Sequence, residues 1–189
     1  ERDVIFAEII EPDYKNTNLP VNIHLFQGLP KSDKLELIIQ KAVELGVYSI
    51  TPVAMKRSIV KIDEKKKKSK TERWQAIAES AAKQSGRGII PEVLEAMPYK
   101  DAIRRASEAE LAIMCYEGDN TQSLKEILQG TKNAKTISIV IGSEGGFSQK
   151  EVEIAKEAGL KIAGLGKRIL RCETAPTFAL SCIVYETEL

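Results

Sequence analysis

The stretch TISIVIGSEGGFSQKEVEIAKEAG, residues 136–159, decides the architecture. It opens on a β-branched apolar run, the pattern of a strand covered on both faces. A glycine-rich turn follows. Ser148 and Glu151 then stand at capping-box spacing ahead of a helix that Gly159 terminates. Strand, tight turn and helix in this order make half of a βαβ unit.

The same alternation extends to both sides. Leu35, Ile38, Ile39 and Ala42 keep helical spacing, with Ser32 or Asp33 as cap and Gly46 as stop. VYSITPV (47–53) reads as a strand, and Trp74, Ile77, Ala78, Ala81 and Ala82 mark a helix ending near Gly86. IIPEVLEA (89–96) is a strand, 99–107 a helix, ELAIMCYE (110–117) a strand and 121–129 a short helix. LKIAGLG (160–166) is the last strand. Thr174 caps a final helix with Pro176 in its first turn and Phe178, Ala179, Cys182 and Ile183 on its apolar face. The prediction is an α/β fold, a mainly parallel sheet with helices on both faces. The front differs: VIFAEII (4–10) and VNIHLF (21–26) read as strands separated by the turn-rich PDYKNTNLP (12–20). The chain starts without Met directly into such a strand, as the tail of a larger first domain would.

At 189 residues, 43% hydrophobic and 29% charged with a net charge of +1, the chain suits a soluble core of ordinary size. No apolar run approaches the ~18 residues of a membrane span and no signal peptide opens the chain, so a cytoplasmic location without membrane contact is expected. Cys115, Cys172 and Cys182 lack metal-ligand spacing and read as free thiols, and no metal is expected. KIDEKKKKSKTERW (61–74) is either a solvated loop or a face for a polyanion. His24, the only histidine, lies in an apolar strand and reads as structural.

Two familiar readings of the glycine turn fail. A P-loop needs Gly-Lys-Ser/Thr where this turn has Gly146, Phe147 and Ser148, and a dinucleotide fingerprint needs G-x-G-x-x-G rather than G-x-x-G-G. Glu144 would also repel a pyrophosphate. An adenosine ligand without phosphate suits the turn better, and S-adenosylmethionine, with its ribose diol, sulfonium and ammonium, is compatible with a nearby carboxylate. A plain strand-to-helix turn is the alternative. A second glycine turn, LGKRILRCETAP (165–176), and YEGD (116–119) also follow strands, where open α/β sheets place ligands.

IGSEGGFSQKEVE (141–153), followed by LGKRILRCETA (165–175), resembles the signature of RsmE-type 16S ribosomal RNA uridine N3-methyltransferases of the SPOUT class. PKSDKLELIIQKAVELGV (30–47), ERWQAIAESAAKQSGR (72–87) and YEGD extend the likeness over nearly everything from residue 21 onward. Ser143 stands where such sequences usually have Pro, and Cys172 where Thr or Val is commoner. The resemblance implies a C-terminal trefoil knot. It also implies a PUA-like N-terminal RNA-binding barrel, of which residues 1–20 would be the remnant strands and 21–189 the methyltransferase domain. It places S-adenosyl-L-methionine against Tyr116, Glu117, Ile141, Gly142, Ser143, Glu144, Gly145, Gly146, Leu165, Gly166, Arg168, Ile169 and Leu170, largely through backbone groups. Arg171 would stabilise charge on uracil as N3 loses its proton, and Glu173 would accept that proton or orient the arginine, with Glu117 the other carboxylate in range. A structural Arg171–Glu173 ion pair is the alternative. Lys31, Lys34, Lys41 and Arg87 would meet RNA phosphates, and the partners implied are 16S ribosomal RNA or the small subunit and a second copy in a homodimer. Another SPOUT specificity, on tRNA or 23S ribosomal RNA, and a non-catalytic RNA-binding assembly protein stand as competing functions.

Overall fold

A single parallel sheet forms the frame of the computed structural model, which describes residues 5–11, 16–58, 64–119, 121–131 and 133–189. In chain order the elements are β1 (Asn22–Gly28), α1 (Lys34–Glu44), β2 (Ser49–Ala54), α2 (Glu64–Gln84), β3 (Glu92–Val93), β4 (Met97–Pro98) and α3 (Tyr99–Ala106). They continue as β5 (Leu111–Cys115), β6 (Gln122–Ser123), α4 (Leu124–Gln129), β7 (Thr136–Ile141), α5 (Gln149–Glu157), β8 (Lys161–Gly164) and α6 (Thr174–Thr187). The strands lie in the order β3-β2-β1-β7-β5-β8-β6, with β4 also on β2, and every pairing is parallel.

Parallel strands covered on both faces alternate their side chains between two cores. Leu25, Ile50, Ile113 and Ile139 face one side, where α1, α2, α4 and α6 pack. Phe26, Val53, Met114 and Val140 face the other, under α3 and α5. One polar side chain interrupts the run in β7: buried Ser138 donates its Oγ hydrogen to the Ala106 carbonyl at 2.6 Å.

Several expectations change. Ile5, Phe6, Ile9 and Ile10 are 83–95% exposed and in no strand, because no neighbouring strand pairs with them; Val4 and residues 12–15 of the expected turn lie outside the described residues. The second front strand, β1, belongs to the centre of the sheet, between β2 and β7. The lysine run is helix from Glu64 onward rather than loop, since Lys has good helix propensity; Lys61 lies outside the described residues. IIPEVLEA keeps only two strand residues, Glu92 and Val93. Asp33 is the N-cap of α1 but makes no side-chain cap bond, and Glu173 rather than Thr174 precedes α6.

Candidate active site

β7, β5 and β8 are adjacent and parallel, so their C-terminal ends open at one edge of the sheet. The loops that follow, beginning at Gly142, Tyr116 and Leu165, enclose a cavity of about 560 Å³. That volume falls within the ~300–1,000 Å³ typical of small-molecule sites. Eleven of the thirteen residues expected at the cofactor come from the two glycine loops, and the structure brings ten of those eleven to the wall, Tyr116 and Glu117 with them. Gly145 is the exception, and Arg171 also lines the cavity.

The glycine loop is held from both sides by packing that tolerates no extra atoms. A Cβ on Gly28, at the end of β1, would stand 2.6 Å from the Ser143 nitrogen. Beside it, buried Gln27 donates its Nε2 hydrogens to the carbonyls of Gly28 at 3.1 Å and Gly142 at 3.2 Å. Gly145 faces away from the cavity, where a Cβ would lie 2.8 Å from Arg57 Cβ and 2.9 Å from the Arg57 carbonyl oxygen. The turn carrying Arg57 is pinned by Glu151, whose buried carboxylate accepts from the Lys56 amide at 2.9 Å and from the Ser148 amide at 2.8 Å. The capping residue of α5 thus doubles as the anchor of a second loop. Phe147 supplies the apolar backing, edge-on to both Tyr99 and Tyr116.

The polar groups are unevenly committed. Lys34, expected on RNA, lines the cavity and places Nζ 3.2 Å from Glu144 Oε1 and 3.3 Å from Glu173 Oε2. The Lys31 amide also donates to the Glu144 carboxylate, at 3.0 Å to Oε1. Burial pulls the Glu144 carboxyl upward, but the amides of Glu144 and Lys31 and the Lys34 ammonium outweigh it, leaving it below the usual carboxylate range. Glu173 is lowered as well, first by the Cys172 thiol donating to its Oε2 at 3.2 Å and then by its own amide and Lys34. Burial and that same hydrogen bond push the Cys172 thiol up to about 12, so it is no thiolate nucleophile. Glu173 does not line the cavity. Arg171 does, is exposed, and has no ion pair or hydrogen bond from its side chain among the described residues, so the alternative of a structural Arg171–Glu173 pair gives way to Lys34–Glu173.

The remaining expected RNA contacts are dispersed. Lys41 pairs with Glu44 on α1 at 2.9 Å, and Lys31 is exposed near the cavity rim. Arg87 turns inward: its guanidinium donates to the carbonyls of Val47 at 2.6 Å and Val43 at 3.3 Å, and burial lowers its pKa. It closes the C-terminal end of α1, with Nη1 committed to these carbonyls.

A sulfonium nucleoside suits this donor set. The Ser143 hydroxyl is buried without a hydrogen-bond partner among the described residues, on a residue of the cavity wall. Gly146 and Gly166 hold positive φ, 61° and 103°, which leaves main-chain groups facing the space without a side chain over them. Glu117 lines the same wall, its Oε1 3.6 Å from where a Gly146 Cβ would be.

Comparison with known proteins agrees with this arrangement. Residues 17–184 match the RNA methyltransferase domain family. Ribosomal RNA small subunit methyltransferase E of Bacillus subtilis is 40% identical over 192 residues, covering 100% of this chain and 75% of that protein. The methyltransferase E structure from Neisseria gonorrhoeae, bound to S-adenosyl methionine, superposes with a TM-score of 0.80 at 35% identity over 89% of this chain and 68% of its own. A Legionella pneumophila protein solved with bound cofactor SAM gives a TM-score of 0.84 at 33% identity, over 90% and 68% respectively. The chain belongs to the RNA methyltransferase family, in the group of the ribosomal RNA small subunit methyltransferases E.

Proposed function

We propose that this chain methylates N3 of a uridine in 16S ribosomal RNA, with S-adenosylmethionine as donor. The observation that carries the reading is the convergence of three loops from adjacent parallel strands on one cavity, with an uncommitted arginine, Arg171, in its wall. In this reading Tyr116, Glu117 and the 141–146 and 165–170 segments hold the cofactor, residues 21–189 form the catalytic domain, and the two glycine loops cross as a trefoil knot. Residues 1–20 are the tail of a PUA-like barrel, in keeping with the bare apolar side chains at 5–10.

The cofactor supplies an electrophilic methyl group on its sulfonium. Uracil N3 has no free lone pair until its proton leaves, and the resulting charge spreads onto the flanking oxygens. Arg171, exposed and unpaired among the described residues, meets that charge without first giving up another of them as partner. Of the two carboxylates in the wall, Glu144 is engaged by Lys34 and the Lys31 amide, which leaves Glu117 to receive the proton. Glu173 has its carboxylate engaged by Lys34 and Cys172 and drawn toward the ionised form, which makes it a weak base and suits it to holding the Arg171 segment in place.

A homodimer through α6 is part of the proposal. The buried side of the helix, Ala179, Leu180 and Ile183, is spent on its own sheet, while Phe178 (41% exposed), Cys182 and Tyr185 (69%) form a second stripe at i, i+4 and i+7. RNA would meet Lys31 and Lys41 and the exposed Lys66 and Lys68 of α2. Among the described residues no helix is long and apolar enough to cross a membrane, and the cytoplasm is the expected place of action.

The test is methylation of purified small ribosomal subunits with labelled S-adenosylmethionine, the modified base being identified by mass spectrometry. N3-methyluridine in 16S RNA is the expected product. Another modified base would assign a different specificity. No cofactor binding by calorimetry would favour a non-catalytic RNA-binding role.

A further inference from the structure

The two glycine loops follow β7 and β8, which are separated in the sheet by β5, so no strand ladder joins them. Among the described residues no hydrogen bond runs directly between residues 142–147 and 165–173 either. Among the described residues, one side chain from a third element makes an ion pair with both. Lys34, the first residue of α1, holds Glu144 of the first loop at 3.2 Å and Glu173 of the second at 3.3 Å, with the Cys172 sulfur at 4.0 Å. Glu173 lies two residues beyond Arg171.

We propose that Lys34 is a positioning residue that sets the gap between the two loops and thereby the distance of Arg171 from the reacting base. The inference rests on the methyltransferase reading above. Its two arms are unequal. Glu144 is also held by the Lys31 amide, so the first loop stays in place without the ammonium. Among the described residues the Glu173 carboxylate is otherwise bound by the Cys172 thiol and its own amide, which travel with the loop. The main chain of 171–173 is tied to the start of α6, the Arg171 carbonyl accepting from the Thr174 and Ala175 amides at 2.9 Å each. Loss of the ammonium frees the Glu173 carboxylate and removes the tie between the Arg171 loop and the first loop, leaving the former held only by its attachment to α6 among the described residues. It also leaves two carboxylates, each within 3.3 Å of the vacated nitrogen position, facing one another. Like charges at such separations repel, so the gap opens rather than merely loosening. The side chains concerned are 18–35% exposed, so the network adds little to global stability; its effect falls on geometry.

The test is Lys34→Met, which keeps the stem and removes the charge, assayed beside the unaltered chain, Lys34→Arg and the double variant Lys34→Met/Glu173→Gln. With small subunits as substrate, Lys34→Met should lower kcat by roughly 10- to 100-fold, as small misplacements of a reacting group do. The calorimetric Kd for S-adenosylmethionine should rise as well, since both loops hold the cofactor in this reading, but by a much smaller factor than kcat falls, and the melting temperature at pH 7 should hardly change. Removing one of the facing charges should restore rate, so the double variant should be faster than Lys34→Met alone; Lys34→Arg should stay close to the unaltered chain. Without cofactor, hydrogen exchange across 167–173 should be faster in Lys34→Met. The proposal is overturned if Lys34→Met keeps its kcat, if kcat and affinity fall in equal proportion, or if the double variant is no faster. Failure of the unaltered chain to methylate would instead sink the methyltransferase reading, and this proposal with it.

Discussion

Gly166 and Gly145 lack side chains for opposite reasons. At Gly166 a Cβ would meet nothing within 4 Å, but φ is 103°, so the glycine serves the backbone. At Gly145 the backbone is ordinary and the space is taken by the Arg57 main chain. Gly166→Val should therefore weaken S-adenosylmethionine binding at least tenfold by calorimetry, with a strain cost of about 1–2 kcal/mol in melting experiments. Gly145→Val has to displace the 55–58 turn, and should lower the melting temperature further than Gly166→Val does; the reverse order would mean that the loop packing is misassigned. Arg171→Ala should reduce kcat roughly 100- to 1,000-fold with little change in cofactor affinity, as for loss of one oxyanion-hole donor. Arg171→Lys should recover little, because a point charge cannot replace a planar fork. Glu173→Gln should be slow without rescue at high pH; rescue by hydroxide would restore Glu173 as the base, and equal loss of binding and rate in Arg171→Ala would make the arginine a pocket residue. Most wall residues were legible in the sequence because each follows its own strand by a few positions. The grip of Lys34 on Glu144 and Glu173 was not, since a contact between three segments distant in the chain leaves no local pattern. The inward bonds of Arg87 were hidden for the same reason: its carbonyl partners, Val43 and Val47, appear only when α1 packs beside α2.

At the scale of elements, periodicity identified α1, α3, α5 and α6 and the buried strands β2, β5, β7 and β8, since each buries a defined stripe or run. It failed where burial does not set the pattern. The first turns of α2 are nearly all lysine, with no apolar periodicity to mark them, and the opening apolar stretch has strand composition without a strand to pair with. α6 shows what a single-chain pattern leaves open, because its apolar residues divide between two faces. If α6 forms the proposed dimer interface, Phe178→Asp should leave the fold intact and give a monomer in light scattering where the unaltered chain gives a dimer. Ile183→Asp, at 0% exposure, places an unpaired carboxylate in the core and should unfold the chain instead, at a cost of several kcal/mol. A folded Phe178→Asp variant of unchanged mass would remove α6 from the interface.

The whole molecule titrates at two ends of its sheet. At the N-terminal edge, His24 accepts or donates at 2.7 Å with Ser49 Oγ and stands edge-on to Tyr48. Burial first, and the Arg105 charge second, lower its pKa from 6.5. The unfolded chain therefore takes up this proton before the folded one, and stability present above pH 6.5 is lost as pH falls toward the folded value. At the C-terminal edge, Glu144 and Glu173 lie below their ordinary 4.5, so their contribution is present above that pH and is lost as pH falls through the lowered values. Lys34 has the opposite sign: hydrogen bonding to Glu144, then to Glu173, raises it above 10.5, and its contribution disappears only as pH rises past that range. Melting temperature should thus be flat from about pH 7 to 8 and decline in two stages on the acid side. Above about pH 9 it should fall as well, because burial raises the Cys115 and Cys172 thiols from 9.0 to about 12 and lifts Cys182, so the unfolded chain ionises first. His24→Gln keeps a polar partner for Ser49 without a titrating proton, so it should erase the stage that begins near pH 6.5 and spare the one below 4.5. Lys34→Met should do the reverse, moving the lower stage to higher pH because both carboxyls lose a cation. If His24→Gln and the unaltered chain melt along parallel curves between pH 7 and 5, the histidine carries no linkage and the acid response belongs to the carboxylates alone.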